Sequence, residues 1–168
     1  FQPFEDYEEE NYLPLNDIDP DLNLYNEMNL HIGSRCSYFL EHSFKSKVSS
    51  MDIEGNMFSL CHMNIRSMKK NLYKLDAYLD TLDYTFTVIG LSETWLQDSN
   101  CDVYGIQGYS CIENHRQNKS GGGVGILLKN SISFFRRYDL DYFEDQYESL
   151  FIEIDKDQLY FNKNVIVG

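Results

Sequence analysis

The chain has 168 residues, 42% of them hydrophobic and 15% aromatic, enough to bury the core of one ordinary domain and too apolar for wholesale disorder. No apolar run approaches the ~20 residues that span a bilayer, and the opening Phe1-Gln2-Pro3-Phe4 turns acidic at once, without the pattern of a secretory signal. The net charge of −13 argues against a long duplex as partner, yet nine of the 27 acids and none of the 14 bases fall in residues 1–30, leaving −4 for residues 31–168.

Residues 1–30 carry Pro3, Pro14, Pro20 and the run Glu8-Glu9-Glu10, and read as a flexible acidic leader. Residues 31–56 read as a linker. Cys36, Phe39, Leu40 and Phe44 fall near helical spacing there, which allows a short helix, with Ser49-Ser50 as a break. The third segment, 57–168, carries the regular pattern. Met57 to Met63 is a mostly apolar strand ending at Asn64. Leu72, Leu75, Tyr78, Leu79 and Leu82 then mark one face of an amphipathic helix, and Phe86-Thr87-Val88-Ile89-Gly90-Leu91 a β-branched strand ending at Ser92-Glu93. The connection is long enough for a helical crossover between parallel strands.

Beyond it the period shortens. Strands are predicted over 109–112, 124–128, 132–136, 150–154 and 159–167, with turns at 117–123, Lys129-Asn130 and Lys156-Asp157, which suggests an antiparallel meander. The chain opens without Met and closes inside Asn164-Val165-Ile166-Val167-Gly168, and both ends read as truncations. Cys36, Cys61, Cys101 and Cys111 form no C-x-x-C pair, so reduced thiols of an intracellular protein are expected and no zinc site.

Asn64 and Glu93 occupy equivalent places, each after a strand of the β-α-β unit. In α/β sheets the carboxyl ends of the strands open on a shared crevice. A carboxylate there can hold Mg²⁺, which takes a few hard oxygens and keeps its waters, and an amide can position a phosphate. Taken singly, Asn64 reads equally as a turn residue and Glu93 as a helix cap. The run Gly121-Gly122-Gly123-Val124-Gly125 reads as a hairpin turn rather than a phosphate cradle, because no Gly-Lys-Ser/Thr follows. His62 reads as a packed core histidine, His115 as solvated surface or a DNA contact, and Trp95 as packing against the sheet. Tyr138, Tyr142, Phe143 and Tyr147 alternate with acids, unlike a base-stacking platform.

Three segments together are more specific than any one. His62-Met63-Asn64-Ile65-Arg66-Ser67, Gly90-Leu91-Ser92-Glu93-Thr94-Trp95-Leu96 and the glycine run through Lys129 resemble, in order and spacing, the endonuclease domain of non-LTR (LINE-type, jockey-like) retrotransposons. That family belongs to the endonuclease/exonuclease/phosphatase superfamily. The resemblance runs from about Met57 to Gly168. It implies an α/β (α+β) fold, an incomplete DNase I-like α-β-β-α four-layer sandwich. It further implies Asn64 and Glu93 as catalytic residues, Glu93 as ligand of Mg²⁺ (or Mn²⁺), and Arg116 and His115 as DNA contacts. Where the family often has a second Arg, Asn118-Lys119 stand instead. The family's later Tyr, Asp-x-Asn and Asp-His segments, which include the general base, have no counterpart in the 168 residues, so the chain alone is expected not to cut DNA and to leave an apolar sheet face uncovered. The resemblance implies target DNA and a reverse transcriptase domain of the same polyprotein as partners, no membrane, and action in the nucleus. The alternatives are a non-catalytic retroelement remnant and a phosphatase of the same superfamily.

Overall fold

Apolar periodicity turns into two packed sheets and a helical layer. The structure is a computed structural model and describes residues 40–51, 58–97, 104–115, 121–141 and 148–168. The chain divides into units Phe1–Leu40 and Glu41–Gly168; of the first, only Leu40 is described, so the expected acidic leader lies outside the described residues. The second unit begins with helix α1 (Glu41–Met51), which continues through Ser49 and Ser50, where the sequence suggested a break. Ser50 donates its hydroxyl to the Lys47 carbonyl, one way a serine is accommodated inside a helix. Phe44 of this helix packs edge-on against Tyr84, with ring centroids 5.8 Å apart.

Strand β1 (Leu60–Asn64), helix α2 (Met68–Leu82) and strand β2 (Val88–Ser92) form the expected β-α-β unit, with β1 and β2 parallel. The helix starts four residues before the predicted stripe because Met68, which it buries completely, belongs to the same face as Leu75, Leu79 and Leu82. It ends at Asp83, whose left-handed backbone (φ 48°) lets its N–H reach the Leu79 and Asp80 carbonyls.

Strands β3 (Tyr109–Asn114) and β4 (Val124–Lys129) are an antiparallel pair, but the sheet order is β1-β2-β4-β3. The expected meander is therefore corrected at this point: β4, not β3, lies against β2. The reason is burial. In β4 four successive residues from Gly125 to Leu128 are buried, whereas β3 buries only Ile112, so the more apolar strand takes the interior place. Strands β5 (Phe135–Arg136), β6 (Ile152–Ile154) and β7 (Val165–Val167) form a second, antiparallel sheet in chain order. The long strand expected over 159–167 shrinks to β7. A short 3₁₀ turn (Lys156–Gln158) precedes it, with the Asp155 carboxylate accepting from Asp157 N–H at 2.8 Å and the Asn164 side chain accepting from Lys156 N–H at 3.1 Å. Side chains there satisfy amides that a ladder would otherwise take.

Two cores follow from strand alternation. Ile89, Leu91 and Leu127 face the helix and pack with Met68, Leu75, Leu79 and Leu82. Val88, Ile112, Ile126 and Leu128 face the other way and pack with Ile152, Ile154, Leu159 and Val167 of the second sheet. The layers run helix, sheet, sheet: a mixed α/β architecture with two packed sheets, as the sequence led one to expect. Two polar links also join the sheets, from the Asn114 amide to the Ser149 carbonyl (2.8 Å) and from the Arg136 guanidinium to the Glu113 carbonyl (3.2 Å). The outward face of the second sheet carries Phe135, 71% exposed, and Ile166, 49% exposed, on either side of Glu153.

Cys61 is a free thiol, half-buried against the helix-side core, and burial pushes its pKa up. Cys111 is disulfide-bonded, which corrects for that residue the expectation of reduced thiols. That expectation rested on sequence spacing, and spacing is blind to a bridge closed by folding.

Arg137 ties β6 to the segment after β5: its guanidinium donates to Glu153 at 2.7 Å and twice to Asp139, at 2.7 and 2.6 Å. Asp139 is held below the usual carboxylate range chiefly by Arg137, and Glu153 by the Asn164 amide and then by Arg137. A carboxyl whose folded-state pKa is depressed stabilises the fold above its unfolded pKa and loses that contribution as pH falls through the folded value. The melting temperature is therefore expected to drop as pH falls through and below the carboxylate range, with a shallower acid limb in Arg137→Gln. Asp139 is exposed and the Arg137–Glu153 pair only partly buried, so the effect is small. Identical acid limbs for the two proteins, measured by circular dichroism melts, would remove this network from the stability of the fold.

Candidate active site

One end of the larger sheet gathers the polar residues. The register aligns Asn64, Ser92, Val124 and Asn114 in a row across β1, β2, β4 and β3. Asn64 is the last residue of β1 and is exposed; Glu93 is the first residue after β2 and is half-buried. The parallel pairing of β1 with β2 thus brings both expected site residues to the carboxyl ends of neighbouring strands, Glu93 one residue beyond Ser92, the register partner of Asn64.

The loops at this end are bonded to one another. Ile65 N–H donates to the Ser92 carbonyl (3.0 Å), Ser67 N–H to that of Glu93 (2.8 Å) and Met68 N–H to that of Thr94 (2.8 Å). On the other side Thr94 and Trp95 donate their N–H groups to Gly123 and Gly122, at 3.2 and 2.9 Å. The Asn71 amide, one turn into α2, donates to the carbonyls of Ile65 and Arg66, at 3.0 and 2.8 Å. The segment around Glu93 is clamped between the loop after β1 and the glycine run before β4.

That clamp holds unusual backbone. Arg66 (φ 44°), Ser67 (φ 87°), Glu93 (φ 57°) and Trp95 (φ 55°) are all left-handed without being glycine. Such conformations cost on the order of 1–3 kcal/mol each and persist where the surroundings over-determine them. Gly121, Gly122 and Gly123 are left-handed too (φ 88°, 72° and 84°), where glycine carries no steric penalty. The run is the turn the sequence suggested, and it does more than turn. Gly122 N–H lies 3.3 Å from Glu93 Oε2, and the Trp95 indole N–H donates to the same oxygen at 2.7 Å.

Trp95 therefore departs from the reading as a residue packed on the sheet. It is 37% exposed and bonded to the carboxylate two residues earlier. A left-handed backbone at both Glu93 and Trp95 brings the two side chains together, which extended-strand geometry would not do. His62 is likewise corrected: it lies on the edge strand β1 and is exposed. His115 follows Asn114 at the same sheet end, but its ring is not a free surface group. Its Nδ1 lies 2.8 Å from Glu113 Oε2, with the two side chains 17% and 11% exposed. Arg116, expected beside it as a DNA contact, lies outside the described residues. The sequence reading passed over Asn71 and the left-handed loop and gave Trp95 a packing role only; the triple glycine is the signal that could have pointed to close backbone approach.

Glu93 and Asn64 are hard oxygen donors of the kind magnesium accepts. Among the described residues no group of three or more His, Cys, Asp or Glu side chains converges. Among the described residues the donors at this end are one carboxylate and one amide oxygen, which suit an ion that keeps most of its waters. Among the described residues no helix is long and apolar enough to cross a membrane.

No family model matches the chain, and no curated protein matches it. Eight chains of solved structures match. One of them is the 3′ phosphatase NExo from Neisseria, solved bound to a product DNA hairpin. Its sequence is 16% identical, the TM-score is 0.39, and the match covers 59% of this chain and 37% of that one. The present chain thus spans well under half the length of that phosphatase.

Proposed function

We propose that this chain supplies part of a magnesium-dependent DNA endonuclease of the DNase I-like endonuclease/exonuclease/phosphatase superfamily, of the kind that nicks target DNA for non-LTR retrotransposition. The observation that carries the reading is the parallel register of β1 and β2, which sets Asn64 and Glu93 at one sheet end, in the two motifs that resemble that family. In this reading Glu93 holds Mg²⁺, with Mn²⁺ able to replace it, and Asn64 hydrogen-bonds the scissile phosphate. When bound, the ion stabilises negative charge developing on the phosphate and the leaving oxygen. The chain's own part is positional: the clamped loop keeps the carboxylate in one place before any ligand arrives, so less order has to be created on binding. Target DNA and a reverse transcriptase domain of the same polyprotein are the partners this reading implies, with action in the nucleus.

The 168-residue chain holds no counterpart of the family's general-base segment and is expected to leave supercoiled plasmid uncut in Mg²⁺. Isothermal titration of the same chain with Mg²⁺ tests the site without needing turnover. One ion per chain is expected, with affinity falling more than about tenfold in Glu93→Gln, because loss of a direct ligand should exceed the ~10–100-fold typical of an outer-shell partner at its lower end. Equal affinity in wild type and Glu93→Gln would end the assignment of Glu93. Release of phosphate from a 3′-phosphorylated oligonucleotide, with plasmid left intact, would move the chain to the phosphatases of the superfamily.

A further inference from the structure

We propose that Trp95 is a positioning residue for Glu93, its indole N–H setting the orientation in which the carboxylate receives a divalent cation; this rests on the reading of Glu93 as the magnesium ligand. Three observations carry it. First, the contact is short and polar: Trp95 Nε1 to Glu93 Oε2 is 2.7 Å, and Gly122 N–H approaches the same oxygen at 3.3 Å. Two donors on one oxygen restrict rotation of the carboxylate about its terminal torsion, which is otherwise broad.

Second, the backbone is strained at both ends of the contact. Glu93 and Trp95 are left-handed (φ 57° and 55°), while Thr94 between them is fully buried. For a bulky aromatic residue this is a true outlier. Hydrogen bonds on both flanks hold it, from Ser67 and Met68 N–H to the carbonyls of Glu93 and Thr94, and from Thr94 and Trp95 N–H to those of Gly123 and Gly122. Third, Trp95 is not part of either buried core and stays 37% exposed. A β-carbon built on Gly121 would lie 3.7 Å from the indole nitrogen, so the glycine run passes against the donor itself. The conformation places the indole N–H on the Glu93 carboxylate.

Outer-shell groups that orient a metal ligand typically contribute 10–100-fold to metal affinity. Trp95→Phe keeps an aromatic ring and removes the donor; Trp95→Gln removes the ring and restores an N–H the same number of bonds from Cβ. Calorimetric titration with Mg²⁺ is expected to show binding weakened about 10–100-fold in Trp95→Phe and largely recovered in Trp95→Gln, with melting temperatures of the two variants alike. Trp95 is the one tryptophan of the chain. Its fluorescence in the wild type is therefore expected to change with Mg²⁺ and to saturate where the calorimetric isotherm does, and to stay constant in Glu93→Gln. If the wild type binds Mg²⁺ through Glu93 but Trp95→Phe binds as tightly, positioning is overturned and the metal site stands. If Trp95→Gln binds as weakly as Trp95→Phe while both melt early, the ring is structural and positioning is again overturned. If the wild type takes up no Mg²⁺, the metal site falls and positioning falls with it.

Discussion

Gly123→Ala is expected to destabilise the fold by about 2–5 kcal/mol, from two separable causes. Gly123 has φ +84°, a conformation in which a β-carbon alone costs roughly 1–2 kcal/mol. That β-carbon would also stand 2.4 Å from Thr94 Oγ1, a distance at which something must move. Thr94 has no room to retreat. It is fully buried, its N–H is bonded to the Gly123 carbonyl, and its methyl already meets the space beside Gly125. Overpacking of this kind costs about 1–3 kcal/mol. Among the described residues the Thr94 hydroxyl has no hydrogen-bond partner, so Thr94→Ala sacrifices no hydrogen bond there and opens the space. The double variant Gly123→Ala/Thr94→Ala is expected to recover the collision and keep the torsional strain. Denaturant unfolding of the four proteins gives the coupling directly, and additivity within about 0.5 kcal/mol would show that the collision does not exist.

The second large effect lies between the sheets. Leu128→Ala is expected to cost about 2–5 kcal/mol, a large fraction of the ~5–15 kcal/mol that holds an ordinary domain. Leu128 is fully buried in β4, paired with Val88 on one side and Ser110 on the other, and packs with Ile126, Ile152 and Ile154. A cavity there is lined by β-strands hydrogen-bonded on both sides, which cannot easily collapse to fill it. Phe135→Ser is the control. Phe135 is of similar apolar character but largely exposed on the outer face of the second sheet, and its loss is expected to change stability by less than about 0.5 kcal/mol. Equal destabilisation by the two variants, from midpoints at unchanged denaturant slope, would mean that the sheets do not pack as described.

The gathering of the site depends on one topological fact. Had β2 paired antiparallel with β1, the ends carrying Asn64 and Glu93 would point to opposite sides of the sheet. The crossover through α2 makes the pairing parallel, and a shared end follows. The insertion of β4 beside β2 then carries the glycine run to the same place, next to Glu93. Order along the chain does not reveal that second step, since β3 is the nearer neighbour in sequence.

Local pattern was enough for what local physics controls. The spacing of Leu72, Leu75, Leu79 and Leu82 marked the helix, and the apolar stretches around Val88–Leu91 and Val124–Leu128 marked strands, because burial writes a period into the residues themselves. It also put Asn64 and Glu93 after successive strands. Folding decided the rest: the place of β4 inside the sheet, the exposure of His62 on an edge, the capture of His115 by Glu113, and the turn of the Trp95 indole onto Glu93. Each depends on a partner distant in sequence or on a left-handed torsion that residue preference opposes. Tertiary hydrogen bonds from Ser67, Met68 and the glycine run impose that torsion, and no single-residue propensity can announce it.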